Sequence, residues 1–120
     1  MWNIEERDLY NAQHLVVKHM YDSDHVAVIW FGFVKGQKLK DHETTSVAII
    51  QVLKGTIRLT TGETRELDAG STVELKPMER HALEAVSSEA LVQLLLVPHP
   101  RYHSLAETLI CLPVFDARWH

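Results

Sequence analysis

The chain of 120 residues carries eight histidines, and these are the first candidates for chemistry. Imidazole titrates near neutrality, so it can serve as acid, base or metal ligand. Two histidines head stretches with a strand pattern. His42 begins a run in which His42, Thr44, Ser46, Ala48, Ile50 and Val52 share one face. His81 opens the run His81–Val86. Thr44 and Ser46 follow His42 onto its face. They are candidate hydrogen-bond donors to a bound carboxylate or sugar hydroxyl, and their plain reading is filling and wetting a cavity. Met78 and Glu79 lie in the loop before His81. Glu79 is a candidate third metal ligand, or a carboxylate that orients His81. Beside Arg80 it also reads as an ordinary solvated charge.

The remaining polar residues carry less. His99 and His103 are four apart, a spacing that aligns two imidazoles on a helix, but Pro100 lies between them and breaks the pattern. His14, His19, His25 and His120 follow no pattern. Cys111 has no companion cysteine, which excludes an internal disulfide, and it reads as a buried apolar residue. There is no glycine-rich phosphate loop, nucleophile elbow or helix-borne metal motif.

The elements that position the two histidines read as short strands. His14–Met20 is one, followed by turn chemistry at Asp22-Ser23-Asp24. Val26–Val34 is rich in β-branched and aromatic residues and apolar on both faces. Its Trp30, Phe31 and Phe33 read as core or interface aromatics. Lys35-Gly36 turns the chain into the run that starts at His42. Lys54-Gly55, Thr61-Gly62-Glu63 and Asp68-Ala69-Gly70 are further turns, and Pro77 ends the strand holding Val73 and Leu75. His81–Val86 and Ala90–Val97 complete the set. Residues 1–13 read as a lead-in that adds an edge strand. Strands spaced about 8–12 residues apart predict an all-β sandwich or barrel. Residues 101–110 are expected to form a short C-terminal helix. The whole chain reads as one domain, with its core over about 14–98 and an extension at 99–120.

Composition narrows the function classes. Apolar residues make up 46% and charged residues 23%, ordinary usage for a folded domain. The net charge is −4 and no Lys/Arg cluster stands out, so nucleic acid is not an expected partner. The longest apolar runs are Val26–Val34 and Ala90–Val97, far short of the roughly 20 residues that span a bilayer. The first residues lack the basic and apolar regions of a secretory signal, and a cytoplasmic location is expected. Apolar strands on so small a domain predict a homodimer, because such surface usually meets a partner.

Two stretches resemble the signature motifs of the cupin superfamily in its small single-domain form. In the first, Gly36, His42 and Gly55 fall in register with the family's pattern. In the second, Gly70, Pro77 and His81 match, with one extra residue before the proline and one fewer after it. The phrase His81-Ala82-Leu83-Glu84-Ala85 is also similar to that of many small cupins. The resemblance implies a jelly-roll-like antiparallel β-barrel of two packed sheets, with His42 and His81 facing each other inside. It also implies a divalent metal (Zn, Ni, Fe or Mn) held by three histidines and a glutamate. This chain departs from that set: Thr44 stands at the second histidine position and Ala48 at the glutamate position. Two imidazoles alone make a weak site.

Two function classes follow. The first is a module that binds a small molecule in the barrel pocket through His42, Thr44, Ser46 and His81. The second is an enzyme. It is either a metal-dependent oxygenase or isomerase using His42, His81 and a further ligand, or a metal-free isomerase with a histidine base.

Overall fold

Alternation of buried and half-buried residues builds nine strands in the computed structural model, which describes residues 1–98. They are β1 (Val16–Asp22), β2 (Ala27–Val34), β3 (Lys38–His42), β4 (Val47–Lys54), β5 (Thr56–Thr60), β6 (Thr64–Asp68), β7 (Thr72–Leu75), β8 (His81–Ala85) and β9 (Glu89–Val97). One sheet has five strands in the order β1-β2-β9-β4-β7, and the other has four in the order β3-β8-β5-β6. The paired strands are antiparallel. The expected all-β architecture of two packed sheets is present. The helix expected at 101–110 and the extension at 99–120 lie outside the described residues. Among the described residues no helix is long and apolar enough to cross a membrane.

The core fills the space between the sheets. Ile29, Phe31 and Phe33 from β2, Ile50 and Val52 from β4, and Val92, Leu94 and Leu96 from β9 meet Ile57 and Leu59 of β5 and Leu83 of β8. Each set lies on one face of its strand, as a two-residue period demands. The β4–β5 hairpin turns at Gly55, where φ is +77° and a Cβ would stand 2.2 Å from Glu89 O. Only glycine fits both the left-handed backbone and that close approach.

Two details differ from the sequence reading. The lead-in does not form an edge strand. Its Arg7–Leu9 segment is a short 3-10 turn, and Leu9 is fully buried. Leu9 packs with Trp30 and Leu91 on the outer face of the five-stranded sheet, with Ile4, Tyr10, Met20 and Leu53 around them. That apolar outer face, which the sequence reading assigns to a second subunit, is therefore covered in part from within the chain. The backbone of Leu9 lies directly over Gly32, where a Cβ would stand 1.7 Å from Leu9 O. The second difference is β3. The pattern from His42 reads as one continuous strand, but His42 ends β3 in the small sheet while β4 begins at Val47 in the large one.

Candidate site: an imidazole pair between the sheets

His42 sits at the end of β3 and His81 at the start of β8, directly opposite each other. Leu39 pairs with Leu83 and His42 with His81, so β3 spends one more residue than β8 over the same interval. This bulge has a consequence for side-chain direction. Leu39 and His42 are an odd number of positions apart, and a regular strand would send them to opposite faces. The bulge lets both point inward, and both are buried. The loop after β3 and the loop before β8 are tied together, with Met78 N donating to Thr44 O at 2.7 Å. Met78 itself has φ +66°, the left-handed backbone of a tight turn. Outside, Arg80 donates to Asp41 at 3.2 Å and lies 3.8 Å from Glu43. This clamp ties the loop before β8 to the end of β3 and the start of the loop after it.

The two rings stand 4.1 Å apart, centroid to centroid, inclined at 61°. Both Nδ1 atoms face main-chain carbonyls, His42 on Lys40 O at 2.7 Å and His81 on Glu79 O at 3.0 Å. A carbonyl can only accept, so each Nδ1 carries the hydrogen. Each Nε2 is then a bare lone pair whenever the ring is neutral. His42 Nε2 is buried and, among the described residues, has no hydrogen-bond partner. Burial first, and the neighbouring His81 second, lower the His42 pKa from 6.5 to about 4, against the Lys40 bond and Asp41, which raise it. Burial also lowers the His81 pKa, opposed by its bond to Glu79 O and the charges of Glu79 and Asp41. Both rings are therefore neutral near pH 7.

The other sequence-derived candidates fall into place around this pair. Thr44 and Ser46 are buried in the loop between β3 and β4. Thr44 Oγ1 accepts from Ser46 N at 3.3 Å. Ser46 Oγ donates to Pro98 O at 2.6 Å, so its proton is committed to the chain itself. Glu79 meets His81 through its main-chain carbonyl. Its carboxylate turns back to accept from Lys76 N at 3.0 Å in the exposed turn. Ala48 is buried on β4 within the main core. Among the described residues no group of three or more His, Cys, Asp or Glu is placed to hold a metal ion. The four-ligand set that the resemblance implies does not fit the residues present.

Sequence reasoning missed the carbonyls of Lys40 and Glu79, which set the tautomers. Main-chain groups carry no residue-type signal. The Asp41/Glu43–Arg80 clamp was legible only as opposite charges beside each histidine. A groove of about 380 Å³ lies elsewhere, on the outer face of the small sheet, lined by Lys38, Lys40, Arg58, Thr60 and Ala82 among others. None of His42, Thr44, Ser46 and His81 lines it.

No protein-family model matches the sequence, and no curated protein matches it. Solved structures do. An RmlC-like cupin family protein with a double-stranded β-helix fold from Methanocaldococcus jannaschii has a TM-score of 0.71 at 21% identity, over 81% of this chain and 89% of that one. A cupin 2 conserved barrel domain protein from Leptotrichia buccalis has a TM-score of 0.69 at 25% identity, over 73% of this chain and 43% of that one. KdgF from Halomonas sp. has a TM-score of 0.68 at 20% identity, over 72% of this chain and 81% of that one. At such identities the likeness is one of fold, and a fold hosts many chemistries.

Proposed function

We propose that this chain, a barrel of the cupin fold, binds a small polar molecule between its sheets, with the neutral rings of His42 and His81 as hydrogen-bond acceptors. The observation that carries this reading is the Nε2 of His42, a buried lone pair without a partner among the described residues. Leaving such a group unsatisfied costs about 1–3 kcal/mol, so a ligand that supplies a donor recovers that cost on binding. The partner chemistry is therefore a hydroxyl, amine or amide N–H. A polyhydroxy compound fits best, because it can donate to both Nε2 atoms at once. Thr44, buried two residues beyond His42, adds a third polar group.

The test is a calorimetric titration of the protein with monosaccharides and hydroxy acids, paired with ¹⁵N spectra of its imidazoles. A binder should be lost on His42→Leu, and the free protein should show bare Nε2 on both rings at neutral pH. Spectra showing the proton on Nε2, or a binder indifferent to His42→Leu, overturn the reading.

The enzymatic readings rest on the same two rings. A base works best with a pKa near the working pH, and the His42 pKa of about 4 makes that ring a weak one. This supports binding over metal-free isomerisation. A metal-dependent reaction needs further ligands where Thr44 and Ala48 stand. Stoichiometric metal retained through dialysis against chelator would put that reading first.

A further inference from the structure

We infer that the groove on the outer face of the four-stranded sheet is a ligand site of its own, for a small phosphate monoester. Its volume of about 380 Å³ lies within the range of small-molecule sites. Its shape follows from the strand register. Lys38, Glu84, Arg58 and Glu66 lie in one row across β3, β8, β5 and β6, and their long side chains fill that row. In the next row Ala82 stands opposite Thr60, and Thr60 opposite Thr64. Short side chains there leave a depression beside the charged row. Lys38 and Lys40 border it from β3, and Thr60 and Thr61 from β5 and the bend after it. Neither His42 nor His81 lines the groove, so it is separate from the imidazole pair.

Charge says which molecule fits. The acids along the groove are already held, Glu84 by Arg58 at 3.4 Å and Asp41 by Arg80 at 3.2 Å. Arg58 is also held by Glu66, at 3.2 Å. Lys38 and Lys40 are exposed and, among the described residues, neither ammonium group has an ion-pair partner. The unbalanced charge at the groove is therefore positive, on a chain whose net charge is −4. A phosphate monoester carries about −1.5 to −2 at neutral pH and three acceptor oxygens, which match two ammonium groups. The hydroxyls of Thr60 and Thr61 suit the polar body of the ester. β3 is an edge strand, and lysines on an edge deter pairing with another chain, so a small molecule fits here better than an added peptide strand.

Titration of the full chain with glucose 6-phosphate and glycerol 3-phosphate, followed by calorimetry and amide spectra, tests this. Glucose and inorganic phosphate are the comparison probes. The esters should bind, move the amide signals of Lys38, Arg58 and Thr60, and bind less tightly as salt is raised. Inorganic phosphate should bind more weakly at the same residues, and glucose should leave those signals unmoved. Lys38→Gln and Lys40→Gln should each weaken ester binding several-fold, and Lys38→Glu with Lys40→Glu should abolish it. Lys76→Glu removes an exposed cation that does not line the groove, and it should bind the esters as the wild type does. The single Gln variants decide the matter even if the double Glu variant fails to fold. Failure of both esters to bind, or binding indifferent to Lys38 and Lys40, overturns the inference. So does an equal loss in Lys76→Glu, which would mean general attraction to charge, or inorganic phosphate binding as tightly as the esters.

Discussion

His42 and His81 face each other across the β3–β8 pair, their ring centres 4.1 Å apart, and each is anchored through Nδ1 to a carbonyl of its own strand or turn. Anchoring on Nδ1 leaves both lone pairs on the same type of atom, Nε2. Crowding and burial together keep the rings uncharged. The pair is uncharged at neutral pH and a liability in acid.

Stability should fall as the pH drops through this window. His42 has a folded pKa of about 4 against 6.5 for the free group, so the unfolded chain takes up its proton first as pH falls. Between those values the unfolded state binds more protons, and stability rises with pH. The contribution is fully present above the unfolded value and is lost on descent to about pH 4, amounting to ~3 kcal/mol for His42. His81, also shifted down by burial, adds a loss of the same sign. Urea unfolding curves across this range measure the effect, and a flat profile would count against the buried neutral pair.

His42→Leu removes the orphaned Nε2 and the Nδ1 bond to Lys40 O together. The two effects oppose each other, so stability at neutral pH should change by no more than about 1 kcal/mol. The acid limb should become shallower, because the more strongly shifted proton site is gone. Paired denaturation curves at neutral pH and near pH 4 check both statements. A variant as acid-sensitive as the wild type would place the proton linkage elsewhere.

Gly32→Ala should destabilise by about 1–3 kcal/mol, because the added methyl group meets the Leu9 carbonyl. The strain can be relieved by lifting the Arg7–Leu9 turn, which uncovers Trp30 and Leu91. Faster tryptic cleavage after Arg7 would report that movement. Gly62→Ala is the control, since no neighbouring atom lies near its added Cβ, and it should shift the thermal midpoint little.

Thr44→His combined with Ala48→Glu should raise affinity for zinc or nickel by orders of magnitude, since it supplies the two missing ligand types to the inward face of His42. Without metal the same variant should be less stable than the wild type, because Ala48 lies in the apolar core. Thermal melts with and without zinc, and chelator competition, check the two halves. An unchanged affinity would mean that Ala48 does not look toward the imidazole pair.

Local pattern determined much of this protein. The two-residue period already placed Ala48, Ile50 and Val52 inside, where each is buried, because the face of a strand residue depends only on its parity; Thr44 and Ser46 are buried as well, but in the loop between β3 and β4. The turn glycines Gly36, Gly55 and Gly70 were equally legible, and all three take positive φ. Tertiary structure decided the rest. That His42 lies opposite His81 depends on a bulge in β3, which shifts register and face together and has no mark in residue type. The tautomers depend on the carbonyls of Lys40 and Glu79, groups that every residue possesses. The apolar outer side of β2 reads the same whether a subunit or the chain's own Leu9 covers it. Hydrophobic burial has no direction, and only the folded chain shows that Leu9 and Gly32 meet.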